Sequence, residues 1–392
     1  MKEPEGTTRK IGPRDVGVSP FALRIWNGMA LDAFLKLMKG NWSRVSPGRY
    51  PAVATILVTA SFNQLRKWIG LAFLEPTIRK VKIEPDPIFV IGHWRSGTTW
   101  LHHTMLADPG LAAPTMQNCF TPECFLVGRR ALEPLLRLIF PTRRPMDNVG
   151  VGLDAPEEDE HALLLSGAYS PYREILLPCD TMGGTIIQTK NMPEHEAENW
   201  RRVWLGFLRR VQWINPGKRL VLKSPAHTLR IEEILRLFPN ARFIHIVRDP
   251  YRIFFSARKS GDAMRASQAL QTQIPSQEVF DAKLLDGFAQ FHAIYHAHMT
   301  EIPERQLVTL SYEDLKEDTL ATMRRVYEAL DLGDFDQVAN LYQQKAAGSR
   351  NYKTNTFEIE PEIVAEIDRL WHDYFQRYGY QKLSERSSTG ST

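Results

Sequence analysis

A glycine-bounded loop rich in hydroxyl side chains follows the first strongly apolar β-type run, Ile88–Ile91. The loop and the start of the next helical pattern read Gly92-His93-Trp94-Arg95-Ser96-Gly97-Thr98-Thr99-Trp100. A strand, a tight glycine turn and a helix N-terminus form an anion site, because backbone N–H groups converge there and the helix dipole favours negative charge. Thr98 and Thr99 add hydroxyl donors in the first helical turn. The sequence therefore predicts that this loop binds a phosphate group.

The loop has the spacing of an NTPase phosphate loop but lacks its lysine. A Walker A motif reads G-x-x-x-x-G-K-S/T, and Thr98 stands where the lysine belongs. Phosphoryl transfer from an NTP needs that lysine on the β- and γ-phosphates, whereas the cation here is Arg95. No well-placed strand carboxylate for Mg²⁺ is visible. These features disfavour ATP chemistry, and a phosphotransferase that uses ATP remains as the alternative function.

A second phosphate site is predicted after the apolar run Phe243–Val247. Arg248 stands at the C-terminal end of this predicted strand, where open α/β sheets bind their ligands. Asp249 and Pro250 suit the cap and first turn of a following helix. Ser256 then lies on that helix, eight residues after Arg248, and can donate to the same phosphate.

Both sites resemble those of the sulfotransferase family that uses 3′-phosphoadenosine 5′-phosphosulfate (PAPS). Residues 95–100 are similar to the Lys-Ser-Gly-Thr-Thr-Trp of its cytosolic members and to the Arg-Ser-Gly-Thr-Thr of its tyrosylprotein branch, although Trp94 replaces the usual proline. The resemblance implies that Arg95, with Ser96, Gly97, Thr98 and Thr99, holds the 5′-phosphosulfate and that Trp100 stacks on adenine. It also implies that Arg248 and Ser256 hold the 3′-phosphate.

Three further segments extend the resemblance over roughly residues 85–380, closest to the broad, largely bacterial-type branch. Lys223 begins a Lys-x-Pro-x-His strand end. Tyr312 begins a Tyr-Glu-Asp-Leu segment whose tyrosine approaches the adenine. Residues 348–353 form a basic loop in which Arg350 is the expected nucleotide contact. The family implies an enzyme that transfers a sulfuryl group to a hydroxyl or amine by in-line displacement, with PAPS as co-substrate and no metal.

Sulfuryl transfer needs cations at the leaving phosphate and a base at the acceptor. Lys223 and Arg95 are the expected catalytic cations. The cytosolic members' catalytic histidine, in a Lys-Thr-His triplet, is absent, because Pro225 occupies its position. His227, two residues on, is interpreted as a structural contact.

The base is sought in the acidic run 157–160, which leads into an apolar helical pattern. Four consecutive acids exceed what capping needs, and Glu158 and Glu160 are the candidates. In the alternative reading the run is only a helix start, with Asp154 or Ala155 as cap and Pro156 in the first turn. Glu123 is the next candidate base.

The 392-residue chain has an ordinary globular composition, with 43% hydrophobic and 24% charged residues. A net charge of +4 fits an anionic small ligand or a membrane surface and does not indicate nucleic acid. An odd number of cysteines without a C-x-x-C pair argues against a disulfide framework or a zinc site. We expect Cys119 and Cys124 to be buried apolar residues and the compartment to be reducing.

Short apolar runs alternate with helical patterns from Pro87 onward, with further strands predicted at 220–222 and 307–310 and a helix at 228–238. This alternation predicts a parallel sheet covered on both faces. The expected fold is a P-loop-like three-layer α/β/α class with a central parallel sheet and an N-terminal helical extension. The expected boundaries are a tail and helical cap at 1–82, a sulfotransferase domain at 83–384 and a disordered tail at 385–392.

The N-terminal extension predicts helices between 21 and 82, the second from Val53 to Phe73. We expect them to cap the main domain, with peripheral membrane contact as the second interpretation, since apolar side chains around Trp68 adjoin Arg66 and Lys67. The apolar stretch 52–62 is too short to span a bilayer. No secretory signal is visible, so a cytoplasmic protein, with or without membrane association, is expected.

The acceptor is expected to be a small molecule or a lipid-like alcohol, because the N-terminal helices and the region 120–140 are apolar. A hydrophobic hydroxyl acceptor is a hypothesis at this stage. A non-catalytic PAPS- or nucleotide-binding protein is a further alternative. No oligomeric state is predicted.

Overall fold

The computed structural model describes residues 8–17, 23–129, 131, 133–134, 152–178, 191–349 and 360–386. The chain forms two compact units, each built from three separate stretches. The first unit comprises Met1–Pro85, Ala112–Leu220 and Ser260–Gln277. The second comprises Asp86–Leu111, Val221–Lys259 and Glu278–Thr392.

The strands and helices are numbered in chain order. The strands are β1 (Thr8–Lys10), β2 (Ile88–Ile91), β3 (Leu111–Ala112), β4 (Arg219–Lys223), β5 (Arg242–Val247), β6 (Gln273–Pro275) and β7 (Leu307–Ser311). The helices are α1 (Leu31–Met38), α2 (Tyr50–Phe73), α3 (Glu75–Ile78), α4 (Thr98–Met105), α5 (Met116–Phe120), α6 (Asp159–Leu165), α7 (Glu194–Ile214), α8 (Ile231–Leu237), α9 (Pro250–Gln268), α10 (Gln277–His298), α11 (Tyr312–Glu317), α12 (Thr319–Leu330), α13 (Ala339–Ser349), α14 (Pro361–Leu370), α15 (His372–Tyr378) and α16 (Leu383–Arg386).

A five-stranded sheet has the order β3-β4-β2-β5-β7. The pairings of β2 with β4, β2 with β5 and β5 with β7 are parallel. All four strand predictions are confirmed, each to within two residues. β2, β4 and β5 are buried almost throughout, as expected of strands that are covered on both faces. β7 is an edge strand in which only Leu310 is buried.

Side chains alternate between two covered faces of the sheet. Ile88 and Val90 of β2 join a buried cluster with Ile244 and Ile246 of β5. Phe89 points the other way and stacks on Phe243, with ring centroids 5.5 Å apart. Because both faces carry packed apolar layers, the sheet is the middle layer of the predicted three-layer α/β/α fold.

The first unit contains the N-terminal helices. Trp26, Met29 and Phe34 share a buried cluster with Val53 and Ile56. The second predicted helix begins three residues earlier than expected, at Tyr50, because proline is accepted in the first helical turn. Among the described residues, no helix has the length and hydropathy needed to cross a bilayer.

Two helix starts differ from prediction. Pro156 does not begin a helix, because it pairs in an antiparallel bridge with Thr115, and α6 begins only at Asp159 with Glu158 as its N-cap residue. The predicted helix at 228–238 begins at Ile231, after a 3₁₀ turn at Pro225–Leu229. In both cases a stretch that contains proline forms a β-bridge or a 3₁₀ turn instead of the first turn of the helix.

Candidate functional site

Four neighbouring parallel strands end on the same edge of the sheet. β4 ends at Lys223, β2 runs into Gly92, β5 into Arg248 and β7 into Tyr312. Because the strands are parallel and adjacent, these carboxyl ends lie side by side, where α/β proteins bind ligands. The fold therefore brings together most of the residues that the sequence predicted for the nucleotide.

The loop between β2 and α4, residues 92–97, needs its two glycines. Gly92 has a φ of 142°, and a Cβ atom there would lie 2.5 Å from the carbonyl oxygen of Ile246. Gly97 has a φ of 104°, and its Cβ would lie 2.4 Å from Cδ2 of Tyr312. Arg95 itself adopts a φ of 70°, which is uncommon for a residue with a side chain and typical of functional loops.

Thr98 and Thr99 occupy the first turn of α4, as predicted. The residue before them, Gly97, has no side chain that could cap the helix. Ser96 donates a 2.8 Å hydrogen bond from its hydroxyl to the carbonyl of His93, which tightens the turn. The first backbone N–H groups of the helix are therefore suited to an anion.

Arg95 and Ser256 contact each other directly. The Nε of Arg95 donates to the hydroxyl oxygen of Ser256 at 2.8 Å. Nη1 of Arg248 donates to the carbonyl oxygen of Arg95 at 3.0 Å. The two predicted phosphate sites are thus joined by hydrogen bonds in the second unit.

Arg248 has a donor left for a ligand. Its guanidinium lies over the ring of Tyr312, 4.1 Å from the centroid, and its buried Nε has no hydrogen-bond partner among the described residues. Burial lowers the pKa of Arg248, while Tyr312 and Glu313 oppose that shift. A buried cation with an unpaired N–H gains most from a nearby anion. This arrangement fits a phosphate group.

The turn after β5 begins α9 as predicted. Asp249 accepts a 3.0 Å hydrogen bond from the N–H of Arg252, and Pro250 is the first residue of the helix. This cap places Ser256 on the second turn of α9, where its hydroxyl reaches Arg95. The spacing of eight residues between Arg248 and Ser256 is therefore what brings both to one site.

Three further predicted residues of the second unit lie near the same edge, and of these Lys223 and His227 are buried and Trp100 is partly buried. Lys223 is 1% exposed. Trp100 meets Tyr312 edge to face, with centroids 5.5 Å apart. His227 is buried against Phe89, at 5.4 Å between ring centroids, in agreement with a structural contact.

The acidic run belongs to the first unit. Glu160 and Asp159 are wholly buried, and Asp159 accepts a 2.7 Å hydrogen bond from the indole N–H of Trp204. Glu158 accepts a hydrogen bond from the hydroxyl of Tyr172. Asp159 and Glu160 therefore face inward, which a simple helix start would not require, whereas Glu158 is partly buried.

Glu123 is engaged by a lysine. Its carboxylate lies 2.8 Å from Nζ of Lys67, and burial raises its pKa although that ammonium opposes the shift. Cys119 and Cys124 are buried free thiols, as predicted. Arg350, Cys179, the terminal tails and most of residues 130–140 lie outside the described part of the chain.

Two residues without a predicted role contact the turn at residues 248–251. The hydroxyl of Tyr374 bonds to the main chain of Arg248, and the carboxylate of Glu313 accepts the N–H of Asp249 at 3.2 Å. Glu313 belongs to the Tyr-Glu-Asp-Leu segment, and this motif could have indicated that Glu313 lies near the site. Nothing in the sequence around Tyr374 indicated its contact.

One group of ligand-type side chains lies elsewhere in the second unit. Glu232, His298 and Glu301 are close enough to share a cation, and Nδ1 of His298 is 2.6 Å from Glu301. Exposed acidic groups of this kind are common in proteins that bind no metal there.

The family comparison agrees with the site. Residues 87–337 match the model of the sulfotransferase family. Omega-hydroxy-beta-dihydromenaquinone-9 sulfotransferase Stf3 of Mycobacterium tuberculosis (strain CDC 1551 / Oshkosh) is 30% identical over 364 residues, which cover 92% of each chain. The protein of the same name in Mycobacterium bovis matches equally.

Solved structures share the fold. Sulfotransferase STF9 of Mycobacterium avium has a TM-score of 0.63 at 17% identity, covering 93% of this chain and 94% of its own. Sulfotransferase STF1 of Mycobacterium tuberculosis H37Rv has a TM-score of 0.59 at 17% identity, covering 88% and 92%. At this identity the similarity concerns the fold alone.

Proposed function

Because this chain belongs to the sulfotransferase family, we propose that it transfers the sulfuryl group of PAPS to the hydroxyl group of a lipid-like acceptor. The predicted family and enzyme class are confirmed. The observation that carries the choice of donor is the pair of joined phosphate sites, in which Arg95 bonds to Ser256 while Arg248 keeps a buried N–H for a second phosphate.

The donor has two phosphate-bearing ends that match this arrangement. The residue 92–97 loop and the first turn of α4 hold the 5′-phosphosulfate through backbone N–H groups and the threonine hydroxyls. Arg248 and Ser256 hold the 3′-phosphate. Tyr312 and Trp100 flank the adenine, and Arg350 adds a cation. ATP carries no 3′-phosphate, so in an ATP-using phosphotransferase the unpaired N–H of Arg248 would have no phosphate to bind.

The reaction is a displacement at sulfur. The acceptor oxygen forms a bond to sulfur, the bond from sulfur to the 5′-phosphate oxygen breaks, and the acceptor proton passes to a base. Lys223 and Arg95 stabilise the negative charge that develops on the leaving phosphate. Glu158 or Glu160 takes the proton. The product nucleotide is 3′-phosphoadenosine 5′-phosphate (PAP).

The acceptor class is supported by the relative Stf3, which is named for a hydroxylated dihydromenaquinone. A similarity that covers 92% of both chains includes the N-terminal helices and not only the nucleotide site. We therefore assign the acceptor to long-chain lipids that carry a hydroxyl group at the end of the chain.

Contact with a membrane surface is the second part of the proposal, and it is carried by α2. Val58, Phe62, Leu65, Ile69 and Phe73 recur at intervals of four, three, four and four residues and are all exposed, Phe73 by 77%. These intervals place them on one face of the helix. A contiguous stripe of five exposed apolar side chains indicates an interaction surface.

The opposite face of α2 is buried, and it is apolar in the first half of the helix, where Val53 and Ile56 lie, and polar in the second half. Asn63 donates to the carbonyls of Asn27 and Met29, and Arg66 donates to those of Cys124 and Val127. The second half of α2 therefore buries polar side chains and exposes apolar ones, the reverse of the usual arrangement in a water-soluble domain. The exposed basic residues Arg79, Lys80 and Lys82 follow it. The surface fits a bilayer with anionic headgroups.

The nucleotide assignment is tested by calorimetric titration with PAP, AMP and ATP plus Mg²⁺. Wild-type protein should bind PAP about a hundredfold more tightly than AMP, since hydrogen bonds to charged groups contribute about 1.5–3 kcal/mol each. Arg248→Ala should bring PAP affinity close to that of AMP and leave AMP binding almost unchanged. Arg242→Ala, at the opposite end of β5, is the matched control and should keep the discrimination. Equal binding of PAP and AMP by wild-type protein would overturn the assignment.

The acceptor assignment is tested with labelled PAPS and a mixture of acceptors. Terminal alcohols of long isoprenoid or alkyl chains should be sulfated in preference to sugars. Exclusive sulfation of a hydrophilic sugar would contradict it.

A further inference from the structure

The C-terminal helices α14–α16 pack on the turn that carries Arg248. Trp371 and Phe375 share a buried cluster with Val247, Phe254 and Phe288. The ring of Trp371 stacks on Phe288 at 3.7 Å between centroids. This segment lies beyond residues 87–337, the part of the chain that matches the family model.

Tyr374 of α15 holds the main chain of Arg248 from two sides. The N–H of Arg248 donates to the Tyr374 hydroxyl oxygen at 3.1 Å, and the same hydroxyl donates to the carbonyl of Arg248 at 3.0 Å. Tyr374 is buried, and burial raises its pKa well above 10, so the hydroxyl keeps the proton that it donates. Two bonds from one side chain restrict both peptide groups of Arg248.

Tyr380 acts on the next peptide through Glu313. Its hydroxyl donates to one carboxylate oxygen of Glu313 at 2.9 Å, and the other oxygen accepts the N–H of Asp249. The rings of Tyr374 and Tyr380 are parallel, 5.9 Å apart. The two tyrosines thus hold two successive residues of the turn after β5.

A third tyrosine hydroxyl fastens the same turn to the C-terminal helices. The hydroxyl of Tyr251 donates to the carboxylate of Asp368 on α14 and accepts the N–H of Leu383 at 2.9 Å. Ser384 donates to the second oxygen of Asp368 at 2.6 Å. The turn is therefore held to this segment at residues 248, 249 and 251.

The direction of the Arg248 guanidinium depends on this support. Its described contacts are the carbonyl of Arg95 and the ring face of Tyr312, and neither is an ion pair. A small rotation of the Arg248 peptide would therefore move its unpaired Nε away from the phosphate, since misplacement of a binding group by about 1 Å can remove most of its effect.

We propose that Tyr374, assisted by Tyr380 through Glu313, is a positioning residue for recognition of the 3′-phosphate. It does not touch the nucleotide and acts by fixing the peptide from which Arg248 extends. The proposal rests on the proposed function, because it takes Arg248 as the residue that binds the 3′-phosphate.

The test is Tyr374→Phe, which removes the hydroxyl and keeps the ring. The dissociation constant of PAP should rise about tenfold, the effect of losing one or two hydrogen bonds, while that of AMP stays within about twofold. Tyr342→Phe is the matched control, since that tyrosine is equally buried and its hydroxyl donates to the carbonyl of Met105 at 3.0 Å. It should lower stability without changing the ratio of PAP to AMP affinity.

If Tyr374→Phe keeps the wild-type ratio of PAP to AMP affinity, the proposal is overturned and the proposed function stands. If the wild-type protein itself binds PAP and AMP equally, both are overturned. If Tyr374→Phe does not fold, Tyr380→Phe gives the answer, because Tyr380 is less buried. It should lower the ratio by a smaller factor. An unchanged ratio in that folded variant would equally reject the proposal.

Discussion

Lys223 ends β4 with an amine that is almost wholly buried. A cation in that position stabilises charge that appears only as the leaving phosphate separates, so Lys223→Ala should reduce kcat by about tenfold to a thousandfold. The dissociation constant of PAP should change much less. Single-turnover transfer from labelled PAPS, beside a PAP titration, separates these two effects.

The control for that experiment is Lys218→Ala, just before the opposite end of the same strand. It should retain wild-type kcat and PAP affinity. An equal loss of PAP affinity and kcat/KM in Lys223→Ala, with kcat unchanged, would show that Lys223 only binds the nucleotide.

The candidate bases are tested by removing charge without changing shape. Glu158→Gln or Glu160→Gln should lower kcat by about 10²–10⁴-fold, the usual contribution of a general base, with PAP affinity near wild type. Asp159→Asn controls for loss of a buried acid in the same run, and it should act on stability because Asp159 accepts the Trp204 N–H. If both glutamine variants keep full turnover, Glu123 and His227 become the candidates for the general base.

The site residues that could be predicted were those whose neighbours in the sequence also suit phosphate binding or helix capping. Arg95 lies among glycines and threonines, and Arg248 comes directly before a helix cap, so each had local context. Tyr374 had none. Its partner is a peptide 126 residues earlier, and a tyrosine in an amphipathic helix has no sequence signature for such a contact.

At the scale of the helix, the exposed apolar stripe of α2 leads to a prediction about vesicle binding. Phe62→Ser with Leu65→Ser should weaken co-sedimentation with anionic phospholipid vesicles by about tenfold or more, because burying each large apolar side chain contributes about 1.5–3 kcal/mol. Both side chains are exposed in the fold, so stability should change little.

The matched variant is Trp213→Ser, which removes an exposed aromatic from α7. It should bind vesicles as the wild-type protein does. Equal binding by the α2 double variant and the wild-type protein would exclude this stripe as the membrane surface.

The elements differed in how far they could be predicted. The central strands were recognised because apolar β-type runs buried on both faces have few alternatives. The start of α6 was placed too early, because Pro156 fits a helix start locally but pairs with Thr115, about 40 residues away in the chain. The burial of Asn63 and Arg66 in α2 likewise depends on carbonyl groups that the sequence does not reveal.

For the molecule as a whole, buried histidines predict a loss of stability in mild acid. Burial lowers the pKa of His93 to about 4 and that of His245 to about 3, and it also lowers the pKa of His292. An unfolded histidine has a pKa of about 6.5. Below that pH the unfolded chain binds more protons, so the free energy of unfolding falls by up to about 1.4 kcal/mol per pH unit for each histidine until the folded pKa is reached.

Urea unfolding at pH 7.5, 6.5 and 5.5 measures this slope. His292→Phe should make it shallower, because neither ring nitrogen of His292 has a hydrogen-bond partner among the described residues and the ring contacts Phe288 and Tyr374. The exposed His195 provides the comparison, and His195→Gln should leave the slope unchanged. An identical slope in His292→Phe would contradict the assignment.

The bond between Arg248 and Tyr374 also affects the order in which the protein becomes functional during synthesis. A ribosome adds Tyr374 126 residues after Arg248, so the proposed phosphate-binding residues Arg95, Arg248 and Ser256 are all synthesised well before it. Because domains generally fold as units, we expect the nascent chain to gain its selectivity for the nucleotide only after α15 has been synthesised. A reading frame interrupted after residue 361 would still encode all the phosphate motifs, and those motifs alone would then be poor evidence that its product is active.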